Sequence, residues 1–386
     1  MISISRKIIK NYLERLPYGL GVNFVIPILK RVYELSPLGL HWNVGRRINL
    51  RRKIKKERSE AEKIINALNN DSINEVIIIY DYHVSPPTYG DFLLVVMLAR
   101  YFVTHNIKVF FYIVDSEYRV DWSPLDEVMR QNRAAEQLEI TDIILNKPMV
   151  DRLARIEVGS WSKIQSTISK IDHENILIPF KERVLSRIPI YNSCFNVINH
   201  LMAQESKAFC NQFLLSFDEF ATRVKFTRPK PPYITWHCRY SKIWGEGQNT
   251  SEPEIINIIN KMKAIFPHHA IMIVSDALGC SYFKTLTQRN GINVLFSKDY
   301  SATFLGDGAL ILGSDYYFQL RGGGIGVFVY FSKLPCDYYT PMAHEIEWSE
   351  GKATSWATEK QIIKKIALTD KRIYLPNGLI KTERHQ

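Results

Sequence analysis

"EVIIIYDYHVSPPTYGDFLLVVMLARYFVTHNIKVFFYIVD", residues 75–115, decides the fold. The β-branched run at 75–82 reads as a buried strand, 90–106 as a largely apolar helix and 108–115 as a second strand. A further helix is expected at 123–140, where "SPLDEVMRQNRAAEQLEI" begins with a Ser-Pro start signal. Strand, helix, strand and helix in such short compass imply parallel βαβ units, hence an α/β protein. Residues 141–225 are mixed and mostly helical in pattern, with no order evident.

At "FTRPKPP" (226–232) the proline density suits neither helix nor strand, and the alternation then restarts. "YITWHCRY" (233–240) reads as a strand, and "SEPEIINIINKMKAIF" as a helix with Ser251 placed to cap it and Pro253 in its first turn. "AIMIVSD", "YFKTLTQRNG" and "INVLF" continue as strand, helix and strand. They are followed by "SATFLGDGALILGSDYYF", by "RGGGIG" (321–326) and by an apolar helix "VFVYFSK". The expected fold is therefore α/β, two Rossmann-like domains facing across a cleft, with a basic helical N-terminal segment. The divisions are 1–60 for the basic segment, 61–228 and 229–345 for the two domains, and 346–386 for a C-terminal helix and tail packing back.

Charge is unevenly placed. The 386-residue chain carries a net +11, and residues 1–60 hold 14 Lys and Arg against 4 Glu. Aromatic and aliphatic residues interleave with that charge, as an interfacial segment meeting anionic headgroups requires. Nucleic acid would use the same charge, but no recognised nucleic-acid module accompanies it, and none is expected as partner. An amphipathic helix docked on its own domain is the structural alternative. Five scattered cysteines, Cys194, Cys210, Cys238, Cys280 and Cys336, have neither disulfide-framework nor zinc spacing and suit a reducing compartment. Arg6, Lys7 and Lys10 interrupt the first apolar stretch, so no secretory signal is expected. No run is long enough to span a bilayer.

Ligands of open α/β sheets bind at the carboxyl ends of strands, and the candidate residues are those expected there. Arg239 ends the first strand of the second half, two residues after His237. A guanidinium makes bidentate, permanently charged hydrogen bonds to phosphate. The loop behind it, with Lys242, is placed to close over a ligand. Arg321, Gly322, Gly323 and Gly324 offer bare backbone N–H groups ahead of a helix, an anion-binding arrangement, with a tight turn alone as the structural alternative. The pattern is neither GxxxxGK[ST] nor a GxGxxG in the first βα unit. Ser275 and Asp276 suit nucleotide contacts or merely cap the next helix, and Ser314 and Gln319 are expected on the same rim. In the first half Asp91, in the first turn of its helix, is a candidate general base. Favourable placement at a helix start is the alternative, and Asp81 and His83 are substitutes. Asp115 and Glu117 form an acid-x-acid pair that could hold a divalent metal, but a solvated strand end is the commoner meaning.

"HCR" after the proline joint, "SD" after the next strand, and "GSDYYFQLRGGGIG" with "FSKLPC" resemble the fucosyltransferase-like glycosyltransferases of the GT-B fold and related bacterial enzymes of surface polysaccharide synthesis. "YGDFLLVVMLARYF" is similar to the first-domain opening of that family and of lipopolysaccharide heptosyltransferases. The resemblance covers about 75–115 and 230–340. The Arg-Arg-Gly-Asp continuation usual in the family is replaced by "HCRYSK", and the triple glycine is not general there. The resemblance implies that Arg239 binds the donor's diphosphate, that Asp276 and its neighbours hold the nucleotide, and that Asp91 is the acceptor-side carboxylate. It further implies an inverting, metal-independent transfer with no cofactor, the nucleotide-sugar being a substrate.

The expected activity is therefore transfer from a nucleotide-sugar donor to a glycan or glycolipid acceptor. It is expected in the cytoplasm at the inner face of the cytoplasmic membrane, with residues 1–60 on an anionic membrane surface. A sugar-nucleotide epimerase, a non-catalytic membrane-associated scaffold, and a metal-dependent transferase using Asp115 and Glu117 are the competing expectations.

Overall fold

The computed structural model describes residues 75–82, 87–115, 127–145, 153–159, 204–240, 249–250, 252–320, 324–339, 372–374 and 380–381, with isolated positions at 59–70, 166, 197–198 and 201–202. The expected N-terminal segment 1–60 therefore lies almost wholly outside the described residues, as does the helix expected within 354–368.

Two parallel sheets form the fold. The first has strand order β1-β2-β3, with β1 at Glu75–Asp81, β2 at Lys108–Val114 and β3 at Leu153–Gly159. Helix α1 (Tyr89–Thr104) joins β1 to β2, and α2 (Glu127–Leu145) joins β2 to β3. The βαβ expectation from 75–115 holds. β3 is an addition, because 141–225 read as mostly helical. Alternation along β1 is clean: Val76, Ile78 and Tyr80 enter one hydrophobic cluster, Ile77 and Ile79 another with Tyr112 and Val114. Both faces of β1 are covered, as parallel strands require.

After two short helices, α3 (Lys207–Phe213) and α4 (Phe217–Ala221), the chain enters the second sheet. Its elements are β4 (Tyr233–Cys238), α5 (Glu252–Ile265), β5 (Ala270–Val274), α6 (Ala277–Arg289), β6 (Leu295–Phe296), a 3-10 turn (Ser297–Asp299), α7 (Phe304–Leu312), β7 (Tyr317–Leu320), α8 (Gly326–Tyr330), β8 (Cys336–Tyr339), β9 (Arg372–Tyr374) and β10 (Ile380–Lys381). In space the order is β10-β9-β8-β7-β4-β5-β6, all parallel except the β9–β10 pair. From β4 the chain winds outward through β5 to β6, then α7 carries it back to β7 on the other side. This is the doubly wound order of a Rossmann sheet, with its switch point between β4 and β7. The tail expected to pack back supplies β9 and β10 to this sheet.

Side-chain parity assigns the two faces. Ile234, Trp236, Cys238, Ile271, Ile273 and Phe318 pack with α5 and α6. Met272, Val274 and Tyr317 turn to the opposite face, into a cluster shared with α7, α8, α1 and β1. One apolar core thus runs from the first sheet into the second.

Arg100, only 1% exposed, fixes α1 within that core. Its Nε donates to Phe213 O (2.6 Å), Nη1 to Ile144 O (2.7 Å) and Nη2 to Leu214 O (2.9 Å). The same Nη2 meets Glu219 Oε1 at 2.9 Å. Glu219 also closes a capping box with Ser216 at the start of α4. One residue beyond Leu214, Leu215 N donates to Phe331 O at 2.7 Å, so the chain reaches the second sheet's elements before the proline joint.

Replacing Arg100 by Ala orphans three carbonyls and leaves Glu219 without its cation, a change expected to cost about 3–5 kcal/mol. Urea denaturation measures this. Lys284→Ala, which removes an exposed pair with Asp299, serves as the control expected to leave the midpoint unchanged.

Candidate functional site

The switch point gathers several of the residues singled out in the sequence. His237 and Gln319 are register partners across β4 and β7, and Arg239 follows the end of β4 directly. His237 shares the parity of Thr235, so it lies on the face that carries α7 and α8 rather than with Trp236. Gln319 is 3% exposed; its Oε1 accepts the Tyr317 hydroxyl at 2.9 Å and lies beneath Gly326, the first residue of α8.

Burial, followed by the neighbouring Arg239 charge, pushes His237 down to about 4, so at neutral pH it is an uncharged imidazole beside a guanidinium. Its Nδ1 is buried and finds no hydrogen-bond partner among the described residues.

Gly324, beyond the end of β7, meets the start of α1. A β-carbon on Gly324 would lie 2.8 Å from Gly90 Cα and closer still to Gly90 N, and one on Gly90 would lie 3.0 Å from Gly324 Cα. The two backbones touch, which only residues without side chains allow. Asp91 is the next residue. Thr88 caps α1, accepting from Asp91 N (3.4 Å) while donating to Asp91 Oδ2 (2.8 Å). Desolvation raises the half-buried Asp91 carboxyl to about 7, against the opposing effect of the Thr88 hydrogen bond. A carboxyl poised there can take a proton at neutral pH.

Other candidates stand differently. Asp276, two residues beyond β5, accepts from Gly279 N on Oδ1 (2.7 Å) as the cap of α6, the alternative considered for it. Ser275 is buried beside it, with its carbonyl facing the Cys280 thiol and the Ser297 hydroxyl, each at 3.5 Å. Ser314 is not on this rim. It precedes β7 at the amino end of the strands, where its hydroxyl donates to Ile311 O (2.7 Å) and lies 2.9 Å from Thr235 Oγ1. The expectation failed because "GSD" enters its strand and does not leave it. Asp81 is the last residue of β1, and Asp115 follows β2. Lys242, Arg321, Gly322, Gly323, His83 and Glu117 lie outside the described residues.

Sequence reading missed two features. Asp307, 4% exposed in α7, takes the Lys298 ammonium on Oδ2 at 2.6 Å, while Oδ1 has no partner among the described residues. Desolvation raises it to about 6, and Lys298 is the leading opposing influence. An aspartate inside the apolar "FLGDGALIL" was the available signal. Tyr89, between Asp91 and the second sheet, is the other; nothing local distinguishes it from a core aromatic.

A doubly wound sheet with Arg239 and an uncharged His237 at the carboxyl end of β4 has the architecture in which open α/β sheets bind ligands at strand ends. No protein-family model and no curated protein matches the chain. Similar solved structures include a glycosyl transferase family 9 protein from Veillonella parvula, at 7% identity, covering 76% of this chain and 97% of that one, with a TM-score of 0.35. The E. coli heptosyltransferase WaaC also appears. With ADP-2-deoxy-2-fluoro heptose it shows 12% identity, 69% and 88% coverage and a TM-score of 0.35. With ADP the figures are 12%, 69%, 87% and 0.36. Likeness at this level is too low to carry a functional argument. Among the described residues no helix is long and apolar enough to cross a membrane.

The raised carboxyls set a pH dependence. Unfolded Asp91 and Asp307 titrate near the ordinary aspartate value of 3.8, and burial in the folded chain raises them to about 7 and about 6. Between about pH 4 and 7 the folded chain therefore binds more protons than the unfolded one. Stability is highest below that window, falls across it and levels off above it. Asp91→Asn is expected to remove much of the slope, raising stability at pH 8 relative to pH 5 by roughly 2–4 kcal/mol against the unmodified protein. Urea midpoints across this pH range measure it, and an unchanged slope would show that Asp91 is not desolvated.

Proposed function

We propose that the chain is a glycosyltransferase moving a sugar from a nucleotide-sugar to a hydroxyl of a glycan or lipid-linked precursor. The observation that supports this reading is the contact of Gly90 with Gly324, which joins the helix turn bearing a carboxyl poised near neutrality to the segment that follows β7.

In this reading the donor diphosphate lies at the switch point, on Arg239, His237 and the glycine turn. The acceptor hydroxyl attacks the anomeric carbon as Asp91 takes its proton. The bond from that carbon to the phosphate oxygen breaks on the opposite side, inverting the centre. Arg239 neutralises the charge arriving on the departing diphosphate, with Lys242 and the backbone of 321–324 as further donors. A permanent guanidinium can fill the role that a divalent cation plays elsewhere, so no metal is proposed. Neutral His237 adds a hydrogen bond without competing for the diphosphate's charge. Residues 1–60 are proposed to hold the enzyme on an anionic membrane surface beside its acceptor, at the inner face of the cytoplasmic membrane. The proposed division remains 61–228 on the acceptor side and 229–345 on the donor side.

Thermal unfolding with GDP, UDP, CMP or ADP, each with and without EDTA, tests the reading. A nucleotide at a hundred times its Kd stabilises by about 2.7 kcal/mol, a readily measured rise in Tm. One nucleotide is expected to raise Tm regardless of EDTA, and Arg239→Ala to abolish the rise. No response to any of them at millimolar concentration favours a scaffold; a response lost in EDTA favours the metal-dependent alternative.

A further inference from the structure

The first turn of α1 is held from both sides at Tyr89. One face of its ring stacks on Phe304 of α7, with centroids 3.9 Å apart and planes 7° from parallel. On the ring, 3.8 Å from its centroid, sits the guanidinium carbon of Arg133 of α2. Arg133 is itself anchored, donating from Nη1 to Pro87 O at 3.0 Å and pairing with Glu136 at 3.5 Å. The Tyr89 hydroxyl donates to the same Glu136 carboxylate. Phe304 continues into the second sheet's helices, 5.6 Å from the Phe328 ring of α8. A residue of the first sheet's connecting helix is thus gripped by a cation on its own side and by an aromatic from the other sheet. Parallel stacking and cation–π contact both depend on ring geometry, and neither needs the phenol oxygen.

We propose that Tyr89 is a positioning residue. Its ring, held between Arg133 and Phe304, clamps the start of α1 to α7 of the second sheet and keeps Asp91 next to the Gly90–Gly324 contact. Gly90, whose backbone touches Gly324, lies between the clamp and the carboxyl, so release of the ring loosens that contact and admits water around Asp91. What the positioned carboxyl does rests on the glycosyltransferase reading; that it is held does not.

The groups facing this turn are Thr88 at its cap, Arg133 and Glu136 from α2, and Asp307 from α7, which acts on Tyr89 through its charge. Each is left in place by the variants below.

The experiment follows the carboxyl resonance of Asp91 against pH by NMR in full-length protein labelled with carboxyl-13C aspartate, assigned by its loss in Asp91→Asn. Tyr89→Phe keeps the ring and loses only the phenol, so Asp91 is expected to titrate within a few tenths of a unit of its original midpoint. Tyr89→Ala is expected to lower the midpoint by a unit or more toward the ordinary carboxylate range, as hydration of the carboxyl requires. Phe304→Leu attacks the clamp from the other sheet and is expected to move Asp91 in the same direction, which covers the case in which Tyr89→Ala does not fold. The proposal is overturned if folded Tyr89→Ala or Phe304→Leu leaves the midpoint in place, or if Tyr89→Phe lowers it as far as the alanine variant. The nucleotide panel on the same proteins judges the transferase reading independently. An unmodified protein that binds none fails that reading while the titration still judges the clamp.

Discussion

A guanidinium buried inside a protein is costly to desolvate, and it persists only where its hydrogen bonds are met. Arg100 meets this condition: three backbone carbonyls from two segments and one carboxylate converge on it. The carbonyls belong to the end of α2 and to the last residue and cap of α3, and the carboxylate closes the capping box of α4. The end of α2 and the α3–α4 junction are thereby indexed to one side chain on α1. Hydrophobic burial along α1 fills the core but has no direction; the planar fork of Arg100 sets where the helix lies.

That placement has a chemical consequence three turns earlier on the same helix. With α1 fixed, its start abuts the glycine turn after β7 closely enough that neither Gly90 nor Gly324 has room for a side chain. Packing tight enough to exclude a methyl group also excludes water, and the carboxyl that follows Gly90 is shifted toward neutrality by that exclusion. Stability and reactivity are thus in tension here. The folded chain would be more stable at neutral pH without Asp91, and a carboxyl raised in this way is expected where proton transfer is needed.

Much of the architecture was legible because its elements are long and buried. The run "EVIIIYDY" and the helix after it carry a continuous apolar signal, and the restart at "YITWHC" does so again. β3, "LARIEVG", was missed because Arg155 and Glu157 interrupt a short stretch with no unbroken apolar pattern. β9 and β10, of three and two residues, are too short for any periodicity and exist through pairing alone. Of the candidate residues, His237, Arg239 and Gln319 were read as strand-end positions, and they lie at the ends of β4 and β7. Ser314 was misplaced by the same logic, since which end of a strand a loop occupies depends on where the strand begins. Tyr89 and Phe304 lie in different βα units, so no local pattern links them, and only packing of the two sheets brings their rings together. The continuous core between the sheets is of the same kind: the proline joint suggested a hinge, while Leu215 and Thr227 already bond to Phe331 and Tyr300 before the joint is complete.

The central claim is that a nucleoside diphosphate occupies the β4/β7 switch point under the start of α1. A crystal structure of the protein with a bound nucleoside diphosphate addresses it most directly. The account predicts phosphate density within hydrogen-bonding distance of Arg239 and the backbone around Gly324, on the side where Asp91 stands. Phosphates seated elsewhere, at the end of β6 or off the sheet altogether, would contradict it.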